Sequence, residues 1–378
     1  MEVYIVLKLL WWLLLGVLLM GLAIMVGMDM GVGTILRYVG RSDSERRVAL
    51  NIIGPHWDGN QVWFILGGGA IFAAWPVIYA TAFSGLYVVM LLLLWTMIIR
   101  PVGFEYRSKL RSASWRNAWD WGLFVSGLVP MLVFGAAIGN ALQGFPYHFE
   151  WNMASVYTGS FLSLFNPFAI LAGLLSVSMS MYMGAAMLMN RSEGPLFERS
   201  RRVLLLAGPV ALALFTIGGI WVANMQGYVL SGAEPGAPSN PLDNRASVVL
   251  ASGAWLNNFR STPALWLLPL LSYAGVGLGT LVGAGGRSHL AWWLGALAWI
   301  GILGTVGAAM FPFMMPSSTD PAHSLTVWNA SSSEHTLVWM TLWTAIFVPA
   351  ILAYTSWAFW VMRGKVSTDQ VENDDHAY

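Results

Sequence analysis

Long apolar runs recur along this chain, and they constrain its fold more than any motif does. They lie near 9–34, 50–74, 78–99, 121–143, 161–188, 203–227, 263–284, 290–312 and 337–362. Each is long enough to cross the roughly 30 Å hydrocarbon core of a bilayer as a helix. Only 10% of the residues are charged, against 57% in the hydrophobic set, whereas a soluble domain carries about 25% charged residues. In lipid, backbone polar groups must be satisfied within the spanning segment. The expectation is therefore an all-α, polytopic membrane bundle of nine transmembrane helices, one membrane domain over residues 1–378. Such a composition excludes a soluble enzyme, a nucleic-acid binder and a disordered scaffold. A net charge of +1 gives no global field for a polyanion. The absence of cysteine removes disulfides, thiol catalysis, Cys-ligated zinc, iron–sulfur clusters and c-type haem attachment.

The first run reads as a retained helix rather than a cleaved signal. It has no basic leading region, it is too long, and Asp29 lies near its end. The basic residues then set the orientation. Arg37, Arg41, Arg46 and Arg47 follow span 1; Arg100, Arg107, Lys109, Arg111 and Arg116 follow span 3. Arg191, Arg199, Arg201 and Arg202 follow span 5, Arg287 follows span 7, and Arg363 and Lys365 follow span 9. Lys8, Arg245 and Arg260 are all that remain for the other side. This asymmetry places the N-terminus outside and the short acidic tail from Arg363 in the cytoplasm. The opposite loops, 144–160, 228–262 and 313–336, are rich in Gly, Pro, Asn, Ser and Trp, which are turn and interface residues.

Ionisable groups at membrane depth are costly, so each is a functional candidate. Asp29 lies eight residues before Arg37, and Asp58 eleven residues after Arg47. At 1.5 Å per residue they sit about 12 and 16 Å inside the arginine cluster. Spans 1 and 2 are joined by a short linker, so the two acids are expected at similar depth. Asp120 begins span 4 near the same surface and is the weaker candidate; Arg100 closes span 3 there. The pattern reads as a polar ladder leading inward from the cytoplasm, able to relay protons. The bland alternative is that each acid pairs with an arginine or a helix N-terminus. His56 is the one histidine expected within a span; His148, His289, His323, His335 and His376 fall in loops, at ends or in the tail. A bis-histidine haem needs more candidates at depth, so no catalytic residue, metal ligand or directly bound cofactor is assigned to this chain. Gly27-x-x-x-Gly31 and Gly135-x-x-x-Gly139 permit close helix approach.

Several strings carry a family resemblance. Gly27-Met28-Asp29-Met30-Gly31-Val32-Gly33 and Pro55-His56-Trp57-Asp58-Gly59-Asn60-Gln61-Val62-Trp63 resemble subunit II of the bacterial cytochrome bd-type quinol oxidases. Arg100-Pro101-Val102-Gly103-Phe104-Glu105-Tyr106-Arg107, Trp119-Asp120-Trp121, Asn166-Pro167-Phe168 and Gly253-Ala254-Trp255-Leu256-Asn257-Asn258-Phe259 agree in order. So do Phe311-Pro312-Phe313-Met314-Met315-Pro316-Ser317-Ser318 and Ser324-Leu325-Thr326-Val327-Trp328. The resemblance covers about residues 9–362. Gln61-Val62 looks more like the branch that uses haem d than the cyanide-insensitive branch.

The resemblance implies a pseudo-symmetric heterodimer with subunit I, which carries two b-type haems, one d-type haem and the quinol-oxidising loop; small accessory subunits are compatible with it. The complex oxidises quinol, reduces dioxygen to water and draws protons from the cytoplasm of a bacterium, across whose inner membrane it lies. Subunit II binds no haem but is needed for haem assembly. The resemblance places the proton path at Asp58, an oxygen path beside Trp63 in some members, and a structural quinone in subunit II of some members. One departure is notable. The family pattern Asp-Gly-Phe-Asp-Met-Gly reads Val26-Gly27-Met28-Asp29-Met30-Gly31 here, so the first acid is missing and Asp29 lies one turn from its place. Two rivals stay open from the residues alone. A proton-coupled secondary transporter would fit nine spans with membrane acids, although no acids in the C-terminal half match those in the N-terminal half. A purely architectural subunit would use the acids only to hold helices together.

Overall fold

The computed structural model describes residues 2–242 and 246–367. Arg245, the acidic end of the tail and His376 lie outside the described residues. The chain is an all-helical bundle with short hairpins at one end. Among the described residues, eight helical segments are long and apolar enough to cross a membrane. A ninth arises if the pair Trp57–Ala74 and Pro76–Gly85, bent by 116°, is one span.

The first span is α1 (Glu2–Gly21), a π-helical turn Leu22–Val26, and α2 (Gly27–Val39). Then come α3 (Asp43–Ile53), a single turn α4 (Trp57–Asn60), α5 (Val62–Ala74), α6 (Pro76–Gly85) and α7 (Tyr87–Tyr106). The regions expected as spans 50–74 and 78–99 therefore do not run as single helices. Gly54-Pro55 breaks the first, because proline lacks the N–H and clashes with the preceding turn. Leu86 interrupts the second, and Arg100 sits inside α7 rather than at its close. The long helices follow: α8 (Ala113–Gln143), α9 (Pro167–Arg191), α10 (Gly194–Asn224), the short α11 (Asn257–Ser261), α12 (Leu267–Ala284), α13 (Ser288–Met310) and α14 (Glu334–Val361). Their starts are written in the sequence. Ser42 and Glu45 form a capping box on α3, Asn166 caps α9 ahead of Pro167, and Ser333 caps α14.

The three polar loops fold as antiparallel hairpins at the end opposite the arginine-rich linkers. They pair β1 (Tyr147–Phe149) with β2 (Ser155–Tyr157), β3 (Gln226–Ser231) with β4 (Ser247–Ser252), and β5 (Phe313–Met315) with β6 (Leu325–Thr326). Lys8, fully buried, ties them to α1: its ammonium donates to the carbonyls of Pro235, Ala237 and Trp328 at 2.9–3.1 Å.

Helix α2 runs through the middle of the bundle, against α8 and α9. The approach depends on glycine. A Cβ on Gly31 would collide with the Ser180 carbonyl of α9, and one on Gly184 would lie 2.5 Å from the Val32 nitrogen of α2. Gly27 has looser contacts, 3.4 Å from Met131 and from Ser180. Gly139 of α8 meets α9 in the same manner at Ala169. Gly31→Ala is expected to destabilise the protein by about 1–3 kcal/mol through overpacking, lowering its melting temperature in detergent. Gly67→Ala, where an added Cβ meets nothing within 4 Å, should not. Equal melting temperatures for the two variants would contradict the close α2–α9 crossing.

Candidate functional site

The polar residues at the arginine-rich end form two groups. The inner one surrounds Asp29 on α2, which is buried. The break at Gly54-Pro55 turns the chain so that α4 brings Asn60 inward, and its amide donates to Asp29 Oδ2 at 2.8 Å. Arg100 approaches from α7, with Nη2 3.6 Å from the same oxygen. Its guanidinium lies 5.6 Å from the Trp57 ring, which stacks on Phe104 at 5.1 Å. Arg100, assigned from the sequence as an acid partner, is thus beside Asp29. Asp29 Oδ1, Asn60 Oδ1, both Gln61 amide atoms and both Arg100 terminal nitrogens are buried without a protein hydrogen bond.

Asp58 does not join Asp29 in the interior. It is exposed on the outer face of α4, whereas Asp29 is buried, so the two acids do not meet within the chain. The physical reason is the helix break: a one-turn helix presents Asn60 and Asp58 to different sides. Glu105, the residue after Phe104 on α7, is also exposed. The helix α7 continues past Arg100, through Pro101, to Tyr106.

The outer group is an ion-pair network. Asp120, fully buried, is held by Arg107 Nε at 2.6 Å and Arg46 Nη1 at 2.7 Å. Arg107 also bonds Asp43 at 2.9 Å, and Asp43 bonds Arg116 at 2.6 Å. Glu45 is held by Arg199 at 2.8 Å, and that guanidinium keeps its carboxyl down at about 2, ionised at any physiological pH. Both Asp120 oxygens are committed, an arrangement suited to anchoring α3, α7 and α8. Arg107 was read as a linker residue; only its burial marks it as a partner for Asp120.

His56 is buried in the break itself rather than within a spanning helix. Its Nε2 lies 3.1 Å from Arg191 Nη1 and its ring stacks on Phe359 at 4.3 Å. Among the described residues no three His, Cys, Asp or Glu side chains converge to hold a metal. Trp63 is buried at the start of α5, its ring against Gly21. The next residue, Phe64, lines an apolar cleft of about 1070 Å³ between α1, α5, α7–α10, α12 and α13. Gly67, Gly68 and Gly69 give this cleft a wall without side chains, and Thr216 with Tyr273, 2.9 Å apart, place hydroxyls in it.

A family model described as cytochrome bd terminal oxidase subunit II matches residues 7–362. The chain belongs to the cytochrome bd terminal oxidase subunit II family. It is 48% identical to cytochrome bd-I ubiquinol oxidase subunit 2 of Escherichia coli strain K12, over 99% of both chains. It is 42% identical to a probable cytochrome oxidase subunit 2 of Haemophilus influenzae, over 98% of each. Against the cytochrome bd ubiquinol oxidase subunit 2 of Bacillus subtilis it is 30% identical, over 95% of this chain and 96% of that one. The bd oxidase structure from Geobacillus thermodenitrificans matches the fold with a TM-score of 0.68 at 15% identity, covering 94% of this chain and 99% of that one. Subunit II is therefore a multi-pass protein of the bacterial inner membrane and part of an oxidoreductase, which decides against the transporter.

Asp120→Asn should leave Arg107 buried with half its charge compensation gone. A loss of about 3–5 kcal/mol is expected, seen as a poor yield of folded complex. Normal yield and melting temperature would contradict the anchoring role.

Proposed function

We propose that this subunit supports a haem-bearing subunit I in oxidising quinol and reducing dioxygen to water, and that it conducts cytoplasmic protons through Asp58 and Asp29. The arginine-rich linkers then face the cytoplasm and the hairpins face outward. The observation that carries the reading is α4: one turn holds Asp58 at the chain surface and Asn60 on buried Asp29. Unpartnered buried polar atoms around Asp29 favour water, and a hydrated acid can pass a proton on. A carboxylate exposed to lipid is costly, so the face with Asp58, Glu105 and the open side of α5 is where subunit I belongs in this reading.

The haem chemistry is assigned to subunit I, with its two b-type haems and one d-type haem. The residues here do not fit a haem: His56 Nε2 is committed to Arg191, and Phe359 covers the ring. A structural quinone would be held in the apolar cleft, whose lining includes Phe64, Leu175 and the hydroxyls of Thr216 and Tyr273. Trp63, beside that cleft, is the proposed door for dioxygen, which partitions into apolar space.

In the purified complex, Asp58→Asn should lower quinol-oxidase turnover roughly tenfold or more while haem content stays near wild type. Full turnover with a normal spectrum would remove Asp58 from the proton path; loss of the d-haem band would reassign it to assembly. The chain purified without its partner should show no Soret absorbance, and a strong Soret band would overturn the exclusion of haem.

A further inference from the structure

The turn that carries Asp58 cannot hold its own place. A helix of four residues makes almost no internal ladder, and the nucleation of so short a segment is unfavourable. The N-cap of α4, His56, makes no capping bond with its side chain. The side chains of α4 hold it on one side, through the Trp57–Phe104 stack and the Asn60–Asp29 bond, and α5 continues from it after Gln61; the entry to the turn at His56 needs a separate hold.

Arg191 and Phe359 meet the break from outside. Arg191, the last residue of α9, is 8% exposed. Its Nη1 is 3.1 Å from His56 Nε2 and 3.5 Å from the Ile52 carbonyl, in the last turn of α3. Helix ends leave carbonyls without partners, so one guanidinium both finishes α3 and grips the residue that starts α4. The same Arg191 is tied to the segment after α14. Its Nε donates to the Gly364 carbonyl at 3.2 Å, and its own carbonyl accepts from the Val366 N–H at 2.9 Å. Lys365 bonds Glu193 at 2.6 Å, and Phe359 covers the other side of the junction by stacking on His56. Three remote segments thus converge on the break two residues before Asp58.

We propose that Arg191, together with the strap Gly364–Val366, is a positioning device for the proton intake: it sets the angle of α4 and so the placement of Asp58 and Asn60. This rests on the reading of Asp58 as a proton-path residue. Arg191 touches no reacting atom and acts through His56. A displacement of about 1 Å in such a relay costs up to about a hundredfold in rate, so a partial loosening should show as a smaller loss.

The test uses the purified complex. Arg191→Gln, and separately a truncation after Arg363, should lower kcat about five- to tenfold with the haem spectrum and the KM for quinol unchanged. The solvent deuterium isotope effect on kcat should rise, because proton delivery becomes more limiting; a merely structural cap would not move it. The double variant Arg191→Gln with Asp58→Asn should be no slower than Asp58→Asn alone. Multiplicative losses in the double variant, a raised KM with unchanged isotope effect, or loss of haem would overturn the proposal. A truncation with wild-type kcat would remove the strap from it. Should Asp58→Asn be slow while Arg191→Gln turns over normally, this inference fails and the proton-path reading stands. Should Asp58→Asn turn over normally, both fall.

Discussion

Helix α2 crosses α9 at backbone distance, and the arginine-rich end of the bundle is organised by that crossing. Gly31 and Gly184 remove the side chains that would hold the two helices apart. The gain is dispersion contact along both helices, the main attraction available to helices in lipid. The consequence for chemistry is depth. With α2 enclosed by α8 and α9, Asp29 is cut off from bulk solvent. A carboxylate so placed needs compensating partners, and α4 and α7 bring Asn60 and Arg100 to it.

The two polar groups divide the work. The outer network satisfies every oxygen of Asp120 with guanidinium donors and links three helices. Such networks resist change, because removing one member strands another. The inner group is looser: one good hydrogen bond, one ion pair at 3.6 Å and several buried atoms with no protein partner. Loose, polar and buried is the combination that suits transient occupancy by protons and water, whereas tight and fully paired suits a girder. Asp29 and Asp120, acids of the same chemical type, are thereby given different roles by their neighbours.

Much of this was legible in the sequence. Apolar runs gave the helical membrane class, the basic linkers marked one end, and Asp29 and Arg100 stood out as charges in apolar surroundings. The family strings around Asp58 and Phe311–Ser318 identified the chain's relatives. What escaped was local geometry. Gly54-Pro55 announces a break, but whether the following turn points inward or outward depends on packing by Trp57 and Phe104. That Asp58 faces away from Asp29 could therefore not be read from the spacing. The end of α7 escaped because the apolar run stops before Arg100, while the helix continues through Pro101 to Tyr106. Arg107 and Arg191 looked like ordinary linker charges, since burial of an interfacial arginine leaves no mark on its immediate neighbours.

The π-helical turn at Leu22–Val26 has a consequence for what changes of length this chain can take. A π turn is in effect an α-helix with one residue inserted, and each residue rotates the chain by about 100°. Everything after it, Gly27, Asp29 and Gly31 included, is phased differently from α1. Deleting any one residue in this turn would restore an unbroken α-helix and swing the glycine face of α2 away from α9. The segment should therefore tolerate substitution far better than a change in length: what the fold needs here is a residue count rather than a residue identity.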